Sequence, residues 1–232
     1  LENKFKEREG IQTVALVGIG GAGKTTLARQ FARQQKMNTI WEINAETKAS
    51  LIASFEKLAE VLSITKEDQI ILKGLIEIKD PIAKEEKIIQ FVKERLKSRS
   101  PWFLVFDNVE SFLDIQKYFP YDVETWGKGK IIITTRDSNI QNNSYITDSM
   151  EVGRLDPDQM LNLFMRIMKH NDKKPLVPIQ VEEIKAALKE IPPFPLDVTL
   201  AADYIQTANI SLPIYINNLN NYSNEFNDVL ET

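Results

Sequence analysis

A glycine-rich loop followed by a lysine and two threonines is the most chemically distinctive part of the chain. Residues 18–25 read GIGGAGKT, which fits the spacing G-x-x-x-x-G-K-S/T. An apolar run precedes the loop, and TTLARQFARQQ continues after it with a helical pattern. Glycines at this spacing let consecutive backbone N–H groups curl around phosphate oxygens, and a helix N-terminus adds partial positive charge. The segment therefore predicts a polyphosphate site.

The residue types within this loop predict individual roles. We expect Lys24 to reach the β- and γ-phosphates and the Thr25 hydroxyl to coordinate Mg²⁺. Further nucleotide-binding positions are predicted along the loop and the first helical turn: Gly20, Gly21, Ala22, Gly23 and Thr26. The alternative is a glycine-rich turn that binds nothing, and the strand before and helix after the loop disfavour it.

A carboxylate follows the apolar run WFLVF at residues 102–106. Asp107 ends that predicted strand, and the carboxyl edge of a parallel sheet is where ligands bind in such folds. We expect it to be a catalytic residue that holds Mg²⁺ directly or through water, the alternative being a simple cap on the next segment. Asn108 cannot act as a base for hydrolysis, and Glu110 is the nearest alternative. These residues favour nucleotide binding more strongly than turnover.

An arginine follows the next strand-like run, KIIITT at residues 130–135. Arg136 at this edge can stabilise or sense γ-phosphate charge, which is what arginine contributes in phosphoryl transfer. Taken alone, an arginine after a strand is usually a surface residue. Arg136 is therefore a catalytic and nucleotide-binding candidate mainly in combination with the other motifs.

The elements that must position these side chains alternate between strands and helices. Continuous apolar runs, typical of strands covered on both faces, occupy residues 13–18, 39–43, 102–106 and 130–135, with a shorter candidate at 150–155. Apolar residues at helical spacing lie between them, at 51–62 and 88–96. We predict an α/β fold over residues 1–153: a P-loop, three-layer parallel sheet with helices on both faces.

Helical patterns alone follow residue 155. DPDQMLNLFMRIM opens with Asp156 as a candidate N-cap and Pro157 at the first helical position. Apolar stripes continue at 181–191 and in a second set made of Leu196, Leu200 and Tyr204, and residues 211–230 supply a last candidate helix. We predict a small all-helical subdomain over residues 154–232.

Composition argues against several classes of partner. The 232 residues are 43% hydrophobic and 27% charged, which is ordinary for a globular protein, and the net charge is −4. The chain has no cysteine, which excludes disulfides and thiolate metal sites and favours a reducing compartment. Neither a basic footprint for nucleic acid nor an apolar run long enough for a membrane helix is present. We expect a cytoplasmic protein with no nucleic-acid or membrane partner.

Four motifs, in order, carry a resemblance to a known family. They are GIGGAGKTTLA, LVFDNV, GKIIITTRD and IPPFPLDVTLAADYI, between residues 16 and 205. Together they resemble the NB-ARC domain of the STAND class of NTPases, without its winged helix. By that resemblance Arg136 matches a sensor arginine that reports the γ-phosphate. Pro195 matches a proline that packs against adenine, which implies ATP or ADP as the nucleotide.

The chain departs from the family pattern in three places. Asn108 replaces a second acidic residue, which puts catalysis in doubt, and Pro193 replaces the glycine of the adenine motif. His170 precedes that motif and does not match the histidine of the winged-helix domain. From Leu1 and the missing flanking motifs we expect a chain trimmed at both ends.

Two functions follow from these residues and the resemblance. The first is an ATP/ADP-binding signalling switch, with slow Mg²⁺-dependent hydrolysis that gates conformational change and self-association. Its sensor and effector modules are expected outside this chain. The second is a nucleotide-binding module that holds ADP as a structural cofactor without turnover. A small-molecule kinase or a motor NTPase is disfavoured, because the sequence shows no arginine-rich lid and its charge balance is acidic.

Overall fold

Five segments form the central sheet of the computed structural model, which describes residues 1–5, 10–168 and 178–230, with side chains except at 178–180 and 222–230. The strands are β1 (Gln12–Val17), β2 (Thr39–Asn44), β3 (Trp102–Val109), β4 (Gly129–Thr135) and β5 (Asp148–Glu151). Every pairing is parallel, in the order β2-β3-β4-β1-β5. The predicted α/β class with a parallel sheet is confirmed. The fifth strand is shorter than predicted and lies earlier, since it ends at Glu151 rather than at 155.

The chain forms two units, and the strands all belong to the first, Leu1–Ile19 with Lys24–Val152. Its longer helices are α1 (Lys24–Arg33), α2 (Lys48–Leu62), α3 (Lys66–Ile76) and α4 (Pro81–Ser98), followed by the one-turn helices α5 (Phe112–Ile115) and α6 (Val123–Trp126). Short 3₁₀ turns occur at Glu2–Lys4, Gln116–Tyr118 and Ser138–Asn142. We did not predict α3, because it buries little apolar surface and is instead fixed by a capping box between Thr65 and Asp68.

Both faces of the sheet are covered. Alternate strand residues point to opposite faces, so the odd and even positions of each strand enter different cores. On one face lie Val14, Leu16, Phe103, Val105 and Ile132, with Ala28 and Phe31 of α1. On the other lie Ala15, Leu104, Phe106, Ile131 and Ile133, with apolar residues of α2 and α4. This arrangement confirms the predicted helices on both faces.

The second unit comprises Gly20–Gly23 and Gly153–Thr232. Its helices are α7 (Pro157–Met168), α8 (Pro178–Leu188), α9 (Pro195–Ala208) and α10 (Leu212–Leu230). As predicted, α7 begins at Pro157, and the Asp156 carboxylate accepts the Gln159 N–H at 2.8 Å. Among the described residues no helix is both long and apolar enough to cross a membrane.

The apolar stripe noted at residues 196–204 does lie on a helix, α9, but it is not the buried face of that helix. Leu196, Leu200 and Tyr204 are 51%, 57% and 53% exposed. The buried face of this helix consists of Val198, Ala201, Ala202 and Ile205. Two small alanines let α9 approach α7 closely, so a buried face that is poor in large side chains still packs. Counting large apolar residues alone therefore selected the wrong side of the helix.

Candidate nucleotide site

The glycine-rich loop connects the end of β1 to the start of α1. Its first residue is tied to the sheet, because the Gly18 N–H donates to the Thr135 carbonyl at 3.2 Å. Gly21 and Gly23 have φ values of +79° and +91°, a region that side-chain-bearing residues rarely adopt. Repeated changes of backbone direction of this kind turn successive N–H groups toward one concave side, as anion-binding loops require.

Lys24 opens α1, and its side chain turns back toward the loop. The ammonium donates to the carbonyls of Gly18 and Ile19, at 2.7 and 2.8 Å. The pKa of Lys24 is lowered, first by partial burial and then by the positive charge of Arg136, against an opposing effect of Asp107. Lys24 therefore lies within the electrostatic reach of both predicted partners, at the carboxyl ends of the strands.

Two hydroxyl groups converge on the Asp107 carboxylate. The Thr25 Oγ1 donates to Asp107 Oδ1 at 2.7 Å, and the Thr134 Oγ1 donates to the same oxygen at 2.6 Å. Hydroxyl and carboxylate oxygens are the hard ligands that Mg²⁺ prefers, and this ion commonly uses one or two protein ligands with phosphates and waters. Thr25 and Asp107, the two predicted metal ligands, are thus brought into direct contact, and the donor set fits Mg²⁺.

A bulge in β3 sets the direction of the Asp107 carboxylate. Phe106 pairs with Ile133 of β4 and Val109 pairs with Thr135, so Asp107 and Asn108 together face the single residue between them on β4. Asn108 has a φ of 60°, in the left-handed region. Asparagine tolerates that region better than other side-chain-bearing residues. Asn108, which stands where the family often has a second acidic residue, therefore serves the backbone geometry of the bulge in this chain.

Substitution of Asn108 tests this role. We expect Asn108→Gly to change the free energy of unfolding little, whereas Asn108→Val should destabilise the chain by about 1–2 kcal/mol, because a β-branched residue is strained at positive φ. Urea unfolding followed by circular dichroism measures both. Asn209, which has a φ of 50° at the end of α9, offers a matched control in which glycine should also be tolerated. Equal stability of the valine and glycine variants at position 108 would contradict the strained bulge.

The remaining predicted site residues differ in their exposure and in the unit to which they belong. Arg136 follows β4 directly and is exposed, as are Gly20, Thr26 and the alternative base Glu110, while Ala22 is buried. Pro195 begins α9 in the second unit. Within that unit a Cβ built on Gly23 would lie 3.4 Å from Pro195 Cγ, and the Leu196 N–H donates to the Gly21 carbonyl at 3.3 Å. His170 lies outside the described residues.

Thr134 was missed by the prediction of site residues. Its hydroxyl also accepts the Asn108 N–H at 2.8 Å, and the residue is 1% exposed. The available signal was its position as a polar residue at the end of an otherwise apolar strand. To connect Thr134 with Asp107 from that signal, one must also know the order of the strands, which places β4 beside β3.

Comparison with known proteins identifies the family of this chain. The model of the NB-ARC domain family matches residues 1–174. A signal transduction ATPase with numerous domains (STAND), with a tetratricopeptide repeat sensor, from Pyrococcus horikoshii is similar in structure, with a TM-score of 0.51 and 18% identity over 84% of this chain. The chain spans only 27% of that protein's length. A katanin, described in work on its self-assembly, gives a TM-score of 0.48 and 14% identity, over 85% of this chain and 59% of its own. The chain belongs to the NB-ARC family of nucleotide-binding P-loop NTPases, within the STAND class.

Proposed function

We propose that the chain binds ATP and ADP with Mg²⁺ and works as a signalling switch whose shape and self-association depend on which nucleotide is bound. The observation that carries the proposal is the contact of Thr25 and Asp107 beside Lys24, at the carboxyl ends of parallel strands. Hard oxygen ligands, an ammonium and a glycine-rich loop are together what a magnesium-bound polyphosphate needs.

Each residue has a defined task in this proposal. The N–H groups of the loop and of the first turn of α1, from Gly20 to Thr26, bind phosphate oxygens, and Lys24 binds the β- and γ-phosphates. Thr25 and Asp107 hold Mg²⁺, which when bound neutralises phosphate charge. Arg136 reports the γ-phosphate. The adenine contact of Pro195 rests on family membership alone.

Slow hydrolysis is part of the same proposal. Lys24 and Arg136 supply positive charge that stabilises the transferred phosphoryl group, and Asp107 orients the metal. Asn108 cannot take a proton, and Glu110 is exposed. Positioning and charge without a strong base are consistent with a low rate.

A second function is a module that holds ADP as a structural cofactor without turnover. The specific observation in its favour is Asn108, because the bulge uses this residue for backbone geometry rather than for proton transfer. The two functions differ in phosphate release and in whether ATP and ADP produce different assembly states.

Calorimetric titration of the chain with ATP, ADP and GTP in Mg²⁺ tests the proposal. We expect binding of both adenine nucleotides and weaker binding of GTP. Slow phosphate release and a larger mass by light scattering with ATP than with ADP would support the switch. ADP binding without release or assembly favours the cofactor role, and failure to bind either adenine nucleotide contradicts both. In this proposal the switch acts in the cytoplasm, with sensor and effector modules outside these 232 residues.

A further inference from the structure

The Thr134 hydroxyl joins the metal-binding carboxylate to the bulge that carries it. It accepts the Asn108 N–H at 2.8 Å and donates its proton to Asp107 Oδ1 at 2.6 Å. A threonine hydroxyl has one proton, so these two bonds use its donor and one acceptor position. Both partners belong to β3 and Thr134 belongs to β4, so the two bonds also cross between neighbouring strands.

These two bonds restrict the Asp107 carboxylate in different ways. The bond from the Asn108 N–H holds the backbone of the bulge, which sets where the Asp107 side chain leaves the strand. The bond to Oδ1 acts on the carboxylate itself and, with the Thr25 hydroxyl at 2.7 Å on the same oxygen, restrains its rotation. Burial strengthens both bonds, because Thr134 is 1% exposed and water competes little there.

The direction of the carboxylate matters because of the charges around it. Asp107 acts electrostatically on Lys24, which lies close enough for the carboxylate to affect its pKa. A carboxylate free to rotate would be drawn toward that ammonium and away from the direction in which a metal is held with Thr25. Metal ligands are commonly oriented by hydrogen bonds from groups that do not themselves touch the metal.

We infer that Thr134 is a positioning residue, which sets the Asp107 carboxylate for Mg²⁺ without contacting the metal or the nucleotide. The inference rests on the proposed function, because it assigns a residue to the same magnesium site. It predicts that the loss of the Thr134 hydroxyl lowers the benefit of Mg²⁺ for ATP binding and leaves metal-free ATP binding almost unchanged.

The measurement is the magnesium gain, defined as the dissociation constant of ATP in EDTA divided by that in Mg²⁺. We expect Thr134→Val, which keeps the shape of the side chain, to lower this gain about tenfold, equivalent to about 1.4 kcal/mol. Thr134→Ser keeps the hydroxyl and should retain the gain. Thr135→Val is the matched control, since that neighbouring threonine is equally buried and its hydroxyl accepts the Asp137 N–H instead.

A second pair of variants covers the case in which Thr134→Val does not fold. Asn108→Val strains the bulge while leaving the Thr134 hydroxyl in place, and it should lower the magnesium gain, whereas Asn108→Gly should retain it. An unchanged gain in Thr134→Val or in Asn108→Val, or a serine variant as impaired as the valine variant, overturns the inference. If the unsubstituted chain binds ATP in neither buffer, the proposed function and this inference both fail. If the unsubstituted chain does show a magnesium gain, the variants test the role of Thr134 alone.

Discussion

Replacing Lys24 with alanine is expected to weaken the binding of ATP about 100-fold, since two charged hydrogen bonds of about 1.5 kcal/mol each are lost. ADP has no γ-phosphate and loses only the bond to the β-phosphate, so its binding should weaken about tenfold. The ammonium already points into the loop, where it donates to the carbonyls of Gly18 and Ile19. A bound polyphosphate would offer it oxygens that carry full negative charge in place of neutral carbonyls. Calorimetry with each nucleotide measures the loss.

Two controls separate binding from folding in this experiment. Lys57→Ala removes an exposed lysine from the outer side of α2 and should leave nucleotide affinity unchanged. The thermal unfolding temperature of Lys24→Ala should stay close to that of the unsubstituted chain without nucleotide, because the bonds it loses are local and partly exposed. Equal nucleotide affinity in the Lys24 and Lys57 variants would contradict the phosphate-binding role of the loop.

Replacing Arg136 with alanine should weaken ATP binding about 10- to 100-fold while changing ADP binding much less, since a charged hydrogen bond is worth about 1.5–3 kcal/mol. Arg136 is exposed directly after β4, and its charge reaches Lys24. Only ATP carries the γ-phosphate that this arginine is proposed to contact. The ratio of the two dissociation constants is therefore the informative measurement. Arg154→Ala, at an exposed arginine of the second unit, is the control, and an unchanged ratio in Arg136→Ala would contradict the sensor role.

The same variant has a pH signature. Arg136 is one cause of the lowered pKa of Lys24, so its removal should raise that pKa toward the ordinary value for lysine. Phosphate binding needs the protonated ammonium, and ADP affinity should fall as the pH rises through the pKa of Lys24. In Arg136→Ala that fall should move to higher pH. A shift to lower pH, or no shift in ADP titrations between neutral and alkaline pH, would contradict the electrostatic coupling.

The sequence was most informative where one physical effect dominates. Strands buried on both faces must be continuously apolar, so the runs that became β1 and β3 were visible without any knowledge of their neighbours. The amphipathic pattern failed on α9, where alanines rather than Leu196 and Leu200 face the core. It also failed on α3, where capping and the ion pair of Asp68 with Arg95 replace apolar burial.

The residues of the candidate site also differ in how far the sequence alone could predict them. Lys24 and Thr25 were predictable because their spacing to the glycines is local, and Asp107 was predictable from its place after a strand. The convergence of Thr134 on Asp107 depends on strand order, and the left-handed backbone of Asn108 depends on a two-against-one mismatch with β4. Neither property can be predicted from a single segment of the sequence, because both depend on how the strands pair in the assembled sheet. The functional roles of the site residues stay predictions until nucleotide binding is measured.

The order of the strands has a consequence for the motions available to the site. β3, β4 and β1 each have a hydrogen-bonded neighbour on both sides, so Asp107 and Thr134 stand on the interior of the sheet. Amide protons there exchange with solvent only through openings that approach global unfolding, whereas loop amides exchange through small local fluctuations. In the proposed switch, any nucleotide-dependent rearrangement should therefore involve the glycine loop and Arg136, while the Asp107 carboxylate keeps its position.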